Sequence, residues 1–191
     1  NEDGRLQRIT GGLASDYPRE GRPAISQPMR HFGYETAIAI DNQDRILICG
    51  AGLIYRIEGD NTIRYIAGST TAWSTAPLSG DVIARQSPIS QWNQSIAVGA
   101  DDSIWFGGAE GILSHVSQEG LLSRKAGDQS YRRTFEPTPA LAASLRDLKD
   151  IAVNADGSFF IADADLNHMS PKGILTPLSG RPAKGRSFQR V

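Results

Sequence analysis

Glu35, Asn93, Gln94 and Asp150 are the residues of this chain best placed to do chemistry, because each stands just ahead of a short apolar run. Carboxylates and amides gathered at such positions offer hard oxygen ligands to a divalent cation, as a metal-dependent hydrolase needs. Counted back from Ile38, Ile96 and Ile151, however, Glu35 and Asn93 precede their isoleucines by three residues and Asp150 by one, so they do not share one aligned column. Asp163, Asp165 and Asn167 imitate the start of a calcium loop, but His168 and Ile174 stand where an EF-hand needs glycine and glutamate, and capping of a strand end accounts for the acids. His31, His115 and His168 share no spacing and make no zinc set. No nucleophile elbow, phosphate loop or dinucleotide fingerprint occurs. The residues therefore assign no catalytic group, no metal and no cofactor. Glu35, Asn93, Gln94 and Asp150 are candidate ligand-binding residues, and Trp73 and Trp92 are candidate interface residues. Trp73 stands in a Ser/Thr/Ala-rich stretch with no obvious core to join, and exposed tryptophans of that kind serve interfaces.

The elements that would position these groups are repeated. Residues 38–50 (IAIDNQDRILICG), 96–108 (IAVGADDSIWFGG) and 151–163 (IAVNADGSFFIAD) align without gaps. Each is followed by a glycine-terminated run: NTIRYIAG to Gly68, GLLSRKAG to Gly127 and GILTPLSG to Gly180, with a fourth version, GRLQRITG, at residues 4–11. Ahead of the units an alanine and an apolar residue recur as Ala24/Met29, Ala84/Ile89, Ala140/Leu145 and Ala183/Phe188. Self-similarity on this scale signals a repeat architecture. Within a unit, runs of about five residues alternate apolar and polar and are punctuated by Asp, Asn and Gly, which predicts strands joined by tight turns. The Asp156-Gly157 step suits a turn that needs positive φ. Third strands are expected at 53–57, 112–116 and 166–169, and fourth strands at 62–67, 121–126 and 174–178, with a closing strand over residues 5–10. The only helical piece expected is 141–148, in a connection.

Four antiparallel strands per unit, each sheet needing a neighbour on either side, describe a β-propeller blade. The expected fold class is all-β: a propeller segment of three complete four-stranded blades with partial blades at both ends. The blades fall at about 36–68, 94–127 and 149–180, with an orphan strand at 4–11 and the start of a further unit at 181–191. The unit resembles the NHL repeat found in the propellers of the Rhs, YD-repeat and teneurin families. The matching elements are PALAASL ahead of the first strand, residues 151–163, Asn167-His168-Met169 and GILTPLSG. Only the third unit carries the Asn-His pair, and residues 69–79 and 128–138 are insertions relative to the compact form.

Composition sets few limits. Lys and Arg number 20 against 21 Asp and Glu, so no global field draws in nucleic acid or anionic membrane. No run approaches the about eighteen apolar residues of a membrane span, which argues against membrane insertion. The single cysteine, Cys49, excludes an internal disulfide and reads as a small buried hydrophobe.

The long connections should crowd one face of a rigid disc, and loops on rigid scaffolds carry function. The expectation is a non-catalytic protein-binding or scaffolding module, not an enzyme, contacting other parts of its parent chain. The resemblance implies a larger Rhs-like bacterial toxin or surface protein, secreted, cell-surface or delivered, whose partner is a shell or toxin domain. The alternatives are a metal-dependent propeller hydrolase of the lactonase type, built on Glu35, Asn93 and Asp150, and a cell-surface or periplasmic sensor propeller.

Overall fold

The computed structural model describes residues 4–11, 16–29, 36–76 and 78–179. It contains fourteen strands in three antiparallel sheets. The first sheet is β1 (Thr36–Ile40), β2 (Ile46–Gly50), β3 (Leu53–Ile57) and β4 (Ile63–Gly68), in that order. In the second, β6 (Asn93–Val98), β7 (Ile104–Gly108), β8 (Leu113–Val116) and β9 (Leu121–Ala126) form the same meander, and the two-residue β5 (Val82–Ile83) adds to the edge of β9. The third repeats the pattern with β11 (Asp150–Val153), β12 (Phe159–Ala162), β13 (Leu166–Met169) and β14 (Ile174–Pro177), edged by β10 (Thr138–Pro139). These are the three blades that the repeats predict.

Aligned residues do the same job in each blade. Ile38, Ile96 and Ile151 lie on the first strands, opposite Ile48, Phe106 and Ile161. The turn after each first strand places Asp44, Asp102 and Gly157 at positive φ, of 59°, 60° and 79°. Aspartate is among the few side-chain-bearing residues that enter that region readily. Ala24, Ala84 and Ala140 each open a single 3₁₀ turn and are buried. The residues ahead of each alanine pair with the outer strand of their own unit: Pro23 with Thr62, β5 with β9, and β10 with β14.

The core lies between the sheets. Leu47, Cys49, Ile54 and Ala67 of the first blade meet Ile96, Phe106 and Leu122 of the second. Leu113 and Ala126 meet Leu145, Ile151, Phe159 and Ile161 of the third, with the Trp105 ring 4.1 Å from that of Phe159. The outward faces of the stack are less covered: Ile38 (68% exposed) and Ile40 on the first blade, Phe160 and Leu166 on the third. Burial pushes the Cys49 thiol up to about 12. We therefore expect Cys49 to ignore an aromatic disulfide reagent at neutral pH and to react fully once the chain is unfolded, followed by absorbance.

Two expectations need correction. The helical piece is one 3₁₀ turn, Ala140–Ala142, because from Ala143 the chain turns extended (φ −74°, ψ 141°) and buries Ala143, Leu145 and Leu148 against the second and third blades. Residues 5–10 form no strand, since a strand needs a ladder partner and their side chains from Arg5 to Ile9 stand exposed. In the third blade Asn167 Nδ2 donates to Asp163 Oδ1 at 3.0 Å, and the His168 ring packs 5.2 Å from that of Phe160.

Candidate functional site

The first strands of the second and third blades bring polar side chains together where those strands begin. In the second blade a β-bulge intervenes: Asn93 pairs with Gly108 and Ser95 with Gly107, leaving Gln94 out of the ladder. Bulges re-aim side chains and are frequent beside active sites. Because of the bulge Asn93, opposite Gly108, takes the place of Thr36, opposite Gly50, while Asp150, opposite Ala162, matches Ser95, so the predicted residues still share no column. Gln94 is turned toward the third blade, where its Nε2 donates to Asp147 Oδ1 at 2.8 Å. Lys149 Nζ donates to Gln94 Oε1 at 3.1 Å and lies 2.6 Å from Asp147 Oδ2. Gln94, Asp147 and Lys149 thus close a ring of polar contacts across two blades, with the lysine and aspartate about half exposed.

Asn93 is buried, and its Nδ2 donates to Ser90 O at 2.7 Å. Asp150 shares the sheet face of Ala152 and Phe160, away from the second blade, and its Oδ1 accepts the amide of Ile151. Glu35 lies outside the described residues. Of the predicted set, then, Asn93 and Gln94 are neighbours and Asp150 is turned away from them. Asp147 and Lys149 are not among the predicted site residues, although the Asp-Leu-Lys-Asp run just ahead of Ile151 is a visible signal. Trp73 and Trp92 are both exposed, on separate loops.

This donor set does not suit a divalent cation. Asp147 is already neutralised by Lys149, whose ammonium would repel a metal ion, and no group of three His, Cys, Asp or Glu able to hold one occurs among the described residues. No helix among the described residues is long and apolar enough to cross a membrane.

No family model and no curated protein matches the chain. Solved structures do. A protein of unknown function from Bacteroides thetaiotaomicron superposes with a TM-score of 0.56 at 16% identity, covering 74% of this chain and 34% of that one. The fold is of the propeller type. A streptogramin B lyase matches at a TM-score of 0.47 and 12% identity, covering 73% of this chain and 38% of the lyase. A gluconolactonase from Xanthomonas campestris matches at 0.33 and 16%, covering 74% and 60%. This chain therefore spans about a third of the length of the first two. The lyase and the gluconolactonase are named enzymes, and on those names the expectation of a non-enzyme is withdrawn; at this similarity they show the fold and assign this chain no activity.

Proposed function

We propose that this chain is part of a propeller hydrolase of the lactonase type, built from NHL-like blades, with its reacting centre at the start of β6 and β11. The observation that carries the reading is the Gln94–Asp147–Lys149 ring, an acid and a cation held in contact by an amide and open to solvent. An ammonium beside a lactone or ester carbonyl opposes the negative charge that develops on its oxygen during attack. A carboxylate next to it takes a proton from the attacking water and returns it to the departing alkoxide. The water oxygen bonds to the carbonyl carbon, the carbon–oxygen ester bond breaks, and a hydroxy acid leaves with atoms and charge balanced. Gln94 keeps the carboxylate oriented from the opposite blade. Further blades of the same kind would cover the exposed faces at Ile38 and at Phe160, as each inner face is covered by its neighbour.

The test is hydrolysis of a panel of five- and six-membered lactones and aryl esters, read by pH-stat and absorbance. Asp147→Asn and Lys149→Met are each expected to lower kcat/KM about a hundredfold without moving the melting temperature. Calcium is expected to leave both melting and rate unchanged. Full activity in both variants, or activity lost to a chelator and restored by calcium, overturns the reading.

A further inference from the structure

A second site lies apart from the Gln94–Asp147–Lys149 ring, and it is formed by the two insertions. Residues 69–79 follow β4 and residues 128–138 follow β9, and they meet through Gln129, whose Nε2 donates to Thr75 O at 2.5 Å. Residues of both insertions line an open groove of about 500 Å³, a size that suits a small molecule. Thr75, Ala76, Trp92, Glu110, Gln129 and Tyr131 line it. Trp92 and Tyr131 stand 40% and 53% exposed. Gln129 and Tyr131 both hold positive φ, at 59° and 54°, a conformation that costs energy in residues other than glycine and is concentrated at functional sites.

Glu110 gives the groove its chemistry. The side chain is only 7% exposed. Its Oε1 accepts the hydroxyl of Ser90, and that hydroxyl oxygen in turn accepts the Trp92 amide at 3.0 Å, so the carboxylate and the indole are placed by one serine. Glu110 Oε2 has no hydrogen-bond partner, and Glu110 enters no ion pair, among the described residues. A carboxylate so placed would gain both a counter-charge and a hydrogen bond from an incoming ammonium group. The space on its inner side is about 40 Å³ and walled by Leu78, Ile89, Phe106 and Leu122, too small for an organic ligand. Glu110 lines both this space and the groove, and only the groove is large enough for an organic ligand, whose ammonium would have to displace the atoms that cover Oε2.

We propose that this groove binds a small organic cation carrying a protonated amine, with Glu110 as counter-ion and the Trp92 and Tyr131 faces as its walls. Aromatic faces attract ammonium groups through their ring quadrupole, and a carboxylate behind them adds the opposite charge. A neutral polyol would share the stacking but would leave that charge uncompensated.

Isothermal calorimetry on the whole chain tests this with benzylammonium chloride, its neutral counterpart benzyl alcohol, and glucose. Benzylammonium is expected to bind saturably and at least about tenfold more tightly than benzyl alcohol. Glu110→Gln should weaken benzylammonium about tenfold or more and abolish the preference over the alcohol. Tyr131→Ala, on an exposed ring, should weaken benzylammonium with the melting temperature unchanged, and it decides the matter if Glu110→Gln proves unstable. Asp147→Asn should bind benzylammonium as the parent does, which separates this site from the hydrolytic one. Equal affinity for the alcohol, preference for glucose, or no saturable benzylammonium binding overturns the proposal.

Discussion

Gly127→Ala is expected to destabilise the chain by about 4 kcal/mol and to lower its melting temperature by about 10 °C. Gly127 ends the fourth strand of the second blade at a φ of 93°. A Cβ there would collide with the carbonyl of Gly111 and lie 3.0 Å from the Ile112 Cα, both of them backbone. Gly111 cannot retreat, because it is itself pressed against the carbonyls of Leu145 and Arg146 in the connection to the third blade. The Gly127 amide also donates to Ala140 O at 3.0 Å, so the position ties the second blade to the third. Gly120→Ala is the control. Gly120 has a φ of 79° but nothing within 4 Å of an added Cβ, so only the backbone term applies, about 1 kcal/mol. Urea titrations of the two variants separate close approach from conformational strain, and equal losses would show that the packing at Gly127 counts for nothing.

Asp41→Ala is expected to cost about 3 kcal/mol, at the lower end for a buried charge pair that loses one member. Asp41 is buried in the turn after the first strand. Its Oδ1 accepts the amides of Gln43 at 3.0 Å and Arg45 at 2.9 Å, and its Oδ2 meets the Arg45 guanidinium at 2.8 Å and that of Arg56 at 3.6 Å. Removing the carboxylate strands two guanidinium groups, although Glu58 still holds both, at 3.3 Å and 2.8 Å. Burial pushes the Asp41 carboxyl up, but the amides of Arg45 and Gln43 and the Arg45 guanidinium outweigh it and leave the group below its usual range. A carboxylate depressed in the folded state contributes stability that is complete above its unfolded pKa and is lost as pH falls through the folded one. The stability difference between the parent and Asp41→Asn should therefore be constant above about pH 5 and shrink below about pH 4. A difference that persists undiminished at pH 2.5 in chemical denaturation would show that charge plays no part.

How much of this was legible in the chain follows from the range over which each feature acts. The strands were legible because alternation and turn chemistry are local: Leu53–Ile57, Leu121–Ala126 and Leu166–Met169 fall where the pattern places them. So was the stacking, since each unit has more apolar surface than one sheet can bury. The bulge at Gln94 was not, because one extra residue in a strand is invisible until its partner's register is known. Nor was the apolar collapse of 143–148, whose pattern mimics a short helix and whose course is set by the sheets it packs against.

The candidate sites depended most on tertiary structure. Gln94 meets Asp147 across 53 residues, and Glu110 meets Ser90 across 20, distances over which no local pattern carries information. Glu110 in particular reads as an ordinary turn acid between two strands, and only the packing of two insertions over it makes it a buried charge. Short-range periodicity determined what the repeating unit is, because backbone pairing and alternate side-chain burial are decided within a few residues. Which polar groups share a site was decided by the blade-to-blade packing and by single bulges and loops that break the repeat, since those alone set where distant side chains converge.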